Sequence, residues 1–149
     1  MESDKTHIVG IVREEKNKWE RRVALTPVEV KQLVENGIKV IVQPSTHRCF
    51  TEKEYLDVGA IFQEDISEAD LIVGVKEVPI ENLLADKTYL FFSHTIKAQD
   101  YNMPLLDKLL ELKIRMIDYE CIRDEKQRLV AFGRYAGIAG AVDFFRGKW

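Results

Sequence analysis

The chain has only two cysteines, Cys49 and Cys121, and nothing about their spacing suits a metal site. That excludes a disulfide framework or a zinc module as the organising element. Both thiols are expected to be small, inert packing residues in a reducing compartment. No apolar run approaches the roughly 20 residues that a membrane-spanning helix needs. Charge of one sign is scarce as well. Lys and Arg number 22 against 25 Asp and Glu, a formal net charge of −3, which provides no electrostatic footprint for nucleic acid or an anionic membrane. No repeat and no low-complexity tract is visible. The first six residues are acidic and short, unlike a secretory or mitochondrial leader, so no targeting segment is expected.

The 149 residues are enough for one domain with a real core, and strand-like runs alternate with helical ones. His7–Val12 is rich in β-branched residues and leads into a charged stretch, Arg13 to Arg22. Thr26, Pro27 and Glu29 then form a helix start, with Leu25 and Val30 as a hydrophobic staple and Gly37 as the stop. Lys39–Val42 is a second strand. Thr51 and Glu54 repeat the capping box before a short helix. Ala60–Phe62, Leu71–Val75, Thr88–Phe92, Ile114–Ile117 and Leu129–Phe132 read as strands, and 102–112 and 136–145 as helices. This alternation implies an α/β fold in three layers, a mostly parallel sheet with helices on both faces.

Glycines are few, and none forms a dinucleotide fingerprint. Gly133, Gly137 and Gly140 open a helix after an expected strand, but their spacing does not fit G-x-G-x-x-G. Close helix packing is the expected reason for these small residues.

The unusual polar residues follow the strands. The first strand runs into Trp19-Glu20-Arg21-Arg22. The next ones deliver Lys76-Glu77, Ser93-His94 with Lys97, and Asp118-Tyr119-Glu120. Open α/β sheets bind ligands at the carboxyl ends of their strands, so these four ends point to one polar cleft. Lys76 and His94, on neighbouring strand ends, form a candidate acid–base pair, because histidine titrates near neutral pH. Arg22 has the planar fork that suits a carboxylate ligand, although a salt bridge to Glu20 or Glu29 would also account for it. Arg21 is expected at the surface, and His7 and His47 to be structural or exposed.

These stretches also carry a resemblance. Residues 10–27, ending in Arg22-Val23-Ala24-Leu25-Thr26-Pro27, resemble the opening of the alanine dehydrogenase and transhydrogenase N-terminal superfamily. Residues 88–99, 102–108, 117–120 and 130–137 resemble its lysine–2-oxoglutarate reductase and saccharopine dehydrogenase branch. The resemblance covers about residues 8–149. It implies the substrate domain of a two-domain enzyme that joins lysine to 2-oxoglutarate and reduces the product to saccharopine, or runs the reverse. It implies Lys76 and His94 as catalytic residues, and Arg22, Lys97, Gln99, Arg128 and Phe132 as substrate-binding residues. Glu20 and Glu120 are implied as supporting carboxylates. The cofactor implied is NADP or NAD, held by a nucleotide-binding domain that this chain lacks, so the chain alone is expected to be inactive. Gln127 stands where some relatives carry an arginine that touches cofactor, and no cofactor-binding residue is assigned. Relatives place the protein in the cytoplasm or the mitochondrial matrix. Two other readings stay open: an alanine dehydrogenase or transhydrogenase type of domain, and a catalytically silent ligand-binding module.

Overall fold

The computed structural model describes residues 6–147, which divide into two compact units, one up to Tyr119 and one from Glu120. The first unit contains β1 (Ile8–Ile11), α1 (Pro27–Glu35), β2 (Lys39–Val42), α2 (Glu52–Leu56), β3 (Ile61–Phe62), β4 (Leu71–Lys76), β5 (Thr88–Phe92), α3 (Met103–Glu111) and β6 (Arg115–Asp118). The second contains α4 (Gly133–Phe145).

The six strands form one sheet in the order β3-β2-β1-β4-β5-β6, and every neighbouring pair is parallel. Side chains alternate across it, so successive residues of one strand feed two cores. Val40 and Val42 join Val9, Ile11, Val30 and Tyr55 on the face covered by α1 and α2. Ile41 between them joins Ile72, Tyr89, Phe91, Leu105 and Leu109 on the face covered by α3. The expected three layers are therefore present. Helix α1 starts on the capping box read from the sequence, with the amide of Thr26 donating to Glu29 Oε2 at 2.9 Å. Its staple residue Val30 is fully buried.

The strand order reverses at one place. From β1 the chain builds outward through β2 and β3, then returns to place β4 on the other side of β1. Where such a sheet changes direction, the loops leaving the two central strands diverge and open a crevice at their carboxyl ends. Here that crevice lies between the ends of β1 and β4.

Three expectations are corrected. Leu129–Phe132 is not a strand. Asp124 takes the amides of Lys126 and Gln127 at 2.8 and 2.7 Å, closing a turn that leaves a single antiparallel bridge, Arg123 to Arg128. An isolated pairing of that length gains too little to propagate. The cysteines are not packing residues either. Both are free and exposed: Cys49 lies in the loop just before α2, and Cys121 ends a short 3-10 turn just after β6. Likewise, Gly133, Gly137 and Gly140 serve no close approach within their own unit, since nothing there lies within 4 Å of a Cβ built on any of them.

Candidate active site at the carboxyl ends of the strands

The last ladder bond between β1 and β4 runs from the amide of Val12 to the carbonyl of Val73, at 3.0 Å. Beyond it a side chain continues the pairing. Glu14 Oε1 accepts from the amide of Val75 at 2.6 Å and Oε2 from the amide of Lys76 at 2.9 Å. Burial raises the Glu14 pKa above the ordinary carboxylate value, and the two amides oppose that rise. Sequence reading missed this residue. Within Arg13-Glu14-Glu15-Lys16 it looks like one more solvated charge, and only the sheet order shows that it faces the end of β4.

Arg22 and Glu20 form a two-pronged pair, Nε to Oε1 at 2.8 Å and Nη2 to Oε2 at 2.5 Å. The Arg22 amide also donates to Glu20 Oε1 at 3.1 Å. Of the two partners considered for Arg22, the structure selects Glu20, while Glu29 is used in the cap of α1. The guanidinium bonds hold the Glu20 carboxyl below its ordinary value, and the positive charge of Lys76 adds to the effect. Lys76 is thus within electrostatic reach of the pair. Arg21 donates to the carbonyl of exposed His47 at 3.1 Å, the surface role expected of it. Arg48 donates to the carbonyls of Gln43 and Val12 at 2.9 and 3.3 Å, tying down the ends of β2 and β1.

On the next strand end, His94 has a left-handed backbone, φ +58°. A residue with a Cβ adopts this conformation at a cost, and histidine tolerates it better than most. The segment around it accounts for its persistence. Fully buried Ser93 donates its amide to Asp118 Oδ2 at 3.2 Å and its hydroxyl to the same oxygen. The amide of Thr95 donates to Ser93 Oγ at 3.1 Å, and Asn102 Nδ2 donates to the His94 carbonyl at 3.4 Å. The imidazole stacks on Phe92 with centroids 6.2 Å apart, and its Nδ1 lies 3.2 Å from Lys97 Nζ. Tyr119 packs against Phe92 at 5.0 Å, and burial, helped by the charge of Glu14, pushes its hydroxyl up to about 12. Gln99 lies apart on the exposed turn that follows, its Oε1 accepting from Tyr101 at 2.7 Å.

In the second unit, Arg128 pairs with Glu120 at 3.4 Å. Phe132, at the N-cap of α4, is partly exposed. The first unit therefore gathers Glu14, Glu20, Arg22, Lys76, His94 and Lys97 along the ends of adjacent strands. Glu120, Arg128 and Phe132 belong to the other unit. Two cavities of about 320 and 230 Å³ open near these strand ends, and neither is lined by Lys76 or His94. The larger is crossed by Arg13, whose fork holds Glu64 at 2.7 and 3.0 Å, an arrangement that serves the surface.

A nicotinamide cofactor finds no cradle in these residues. A dinucleotide needs close backbone approach at a glycine turn after the first strand, and residues 12–26 contain no glycine. The crevice instead presents the Glu14 carboxylate, which would repel a pyrophosphate. Among the described residues no cluster of three or more His, Cys, Asp or Glu could hold a metal ion. No helix among them is long and apolar enough to cross a membrane.

Residues 10–139 match the family model for the alanine dehydrogenase/PNT N-terminal domain. The chain is 50% identical over 141 residues to the mitochondrial α-aminoadipic semialdehyde synthase of Rattus norvegicus, covering 94% of this chain and 15% of that protein. It is 34% identical to the saccharopine dehydrogenase [NAD(+), L-lysine-forming] of Yarrowia lipolytica, covering 87% and 37%. Among solved structures it resembles an L-alanine dehydrogenase at a TM-score of 0.68 and 25% identity, over 79% of this chain and 34% of that one. A transhydrogenase from Sinorhizobium meliloti shares the fold at a TM-score of 0.68 and 21% identity, over 82% and 37%. The chain thus spans well under half the length of the proteins it matches.

Proposed function

The chain belongs to the alanine dehydrogenase/PNT N-terminal domain family, and on that premise we propose that it is the substrate domain of a lysine–2-oxoglutarate reductase, or saccharopine dehydrogenase of the lysine-forming type. Identity favours this branch, at 50% to the rat semialdehyde synthase against 25% to the alanine dehydrogenase. The observation that carries the chemistry is the pairing of Lys76 with Phe92 in the β4–β5 register. It sets the end of β4, at Lys76, beside the end of β5, two residues before His94.

Condensing an amine with a keto acid passes through a carbinolamine and an imine, so protons must move on and off both nitrogen and oxygen. Two basic side chains on adjacent strand ends suit that traffic. Saccharopine carries three carboxylates, and Arg22, Lys97 and Arg128 are the cations assigned to them. Gln99 and Phe132 are assigned to its polar and apolar flanks, and Glu20 and Glu120 to orienting the arginines. NADP or NAD is assigned to a domain outside this chain. The partners are small molecules, namely lysine, 2-oxoglutarate and saccharopine. The compartment in this reading is the mitochondrial matrix or the cytoplasm.

Calorimetric titration of the folded chain with saccharopine tests the reading. Binding is expected, and it should weaken about tenfold or more in Arg22→Ala, the loss of one charge-assisted contact. A flat titration of the folded wild-type chain would overturn it.

A further inference from the structure

We propose that Glu14 is a positioning residue for Lys76: its carboxylate bridges the crevice between β1 and β4 and determines where the lysine leaves the sheet. The ladder geometry requires some such group. In a parallel pair successive amides of one strand point to opposite sides, and the Val73 carbonyl already faces β1. The β4–β5 register then slips: Val73 pairs with Leu90 and Lys76 with Phe92, so two residues of β4, Gly74 and Val75, answer one of β5, Phe91. A bulge of that kind leaves consecutive amides aimed the same way with no strand to receive them. Those amides belong to Val75 and Lys76, and the two oxygens of Glu14 take one each, at 2.6 and 2.9 Å.

The neighbouring residues fit this role. Gly74 sits under the carboxylate, and a Cβ there would meet Val12 Cγ2 at 2.7 Å and Glu14 Oε1 at 3.4 Å. Arg22 and Arg48 balance the charge of Glu14, while Glu20 and Tyr119 feel it as a like charge or a cost to ionisation. Glu14 thus accepts from both backbone amides at β4's end. The functional weight of the proposal rests on the assignment of Lys76 to proton transfer. The contact itself does not depend on that assignment.

Two measurements on the chain test it. In the wild type, the amide proton shifts of Val75 and Lys76 should follow the titration of the Glu14 carboxyl carbon. Shifts that ignore it overturn the proposal without any variant. In Glu14→Gln, which keeps the shape and loses one acceptor and the charge, the reductive methylation rate of Lys76 relative to Lys108 should change about threefold or more, a coupling usual for groups sharing a backbone contact. Glu14→Asp should restore part of that change. A merely stabilising Glu14 would lower the melting temperature and leave the Lys76 ratio alone, and that result overturns the proposal. Saccharopine titration separates this from the reading it deepens. A Lys76 response without saccharopine binding supports positioning and removes the substrate assignment; binding without the response does the reverse.

Discussion

Arg22 holds Glu20 through two parallel bonds at 2.8 and 2.5 Å, so the fork proposed for a substrate carboxylate already holds one from two residues away. A ligand anion must therefore share or displace it. Glu20→Gln removes the competing charge and is expected to tighten saccharopine binding by about threefold to tenfold, the range for one unfavourable charge at a partly screened site. Calorimetry of the variant checks this, and weaker binding would show that orienting the fork outweighs competing for it. The pair also affects acid stability. The Glu20 carboxyl is held below its ordinary 4.5 by Arg22. Its contribution is present above that value and disappears as pH falls through the lower folded value. The stability gap between wild type and Glu20→Gln should therefore narrow below pH 4.5 in urea titrations.

His94 is expected to be more stable as glycine than as alanine. At φ +58° a Cβ is strained, so His94→Gly should exceed His94→Ala in unfolding free energy by about 1 kcal/mol. Asp118 maintains that backbone through Ser93. Asp118→Ala leaves a buried amide without its acceptor and should cost about 2 kcal/mol. Denaturant midpoints of the three variants decide both points. Equal midpoints for the glycine and alanine forms would mean that the left-handed turn relaxes.

How much of this was visible beforehand depended on the range of the interaction. Periodicity located β2 and β5 to the residue, because a buried parallel strand is a short β-branched or aromatic run with clear ends. Both capping boxes were legible, since their partners lie three residues apart. The polar ends of β1, β4, β5 and β6 were legible as words, and the sheet order turned them into neighbours. Glu14 and the Ser93–Asp118 pair were not legible. Their partners lie 61, 62 and 25 residues away, and such contacts leave no local pattern. Leu129–Phe132 failed for the opposite reason: its strand-like composition has no edge to pair with in its own unit.

Alkaline pH is expected to destabilise the first unit through buried Tyr55 and half-buried Tyr119. Burial pushes both Tyr55 and Tyr119 up to about 12 from an ordinary 10.0. Raised folded values mean that the unfolded chain loses these protons first. Stability is then full below pH 10 and falls as pH rises toward 12. Tyr55 also donates its hydroxyl to the Leu25 carbonyl at 2.7 Å. Tyr55→Phe should lower stability at neutral pH by about 1 kcal/mol and flatten the alkaline slope. Urea unfolding at pH 8 to 11 checks both, and an unchanged slope would mean that Tyr55 ionises freely.

Two glycine-to-alanine changes should have opposite outcomes. At Gly74 the new methyl would sit 2.7 Å from Cγ2 of buried Val12 and 3.4 Å from Glu14 Oε1. Overpacking of this kind costs about 1–3 kcal/mol. Because the displaced groups are the end of β1 and the carboxylate that receives the Lys76 amide, saccharopine binding should weaken along with stability. At Gly137, inside α4, nothing of its own unit lies within 4 Å of the new methyl, and alanine is favoured over glycine in a helix by up to about 1 kcal/mol. Gly137→Ala should therefore be neutral or stabilising and leave binding unchanged. Thermal melts with parallel calorimetry on the two variants give the answer. A harmless Gly74→Ala would show that β1 and β4 can separate at the crevice, and Glu14 could not then act as a fixed bridge.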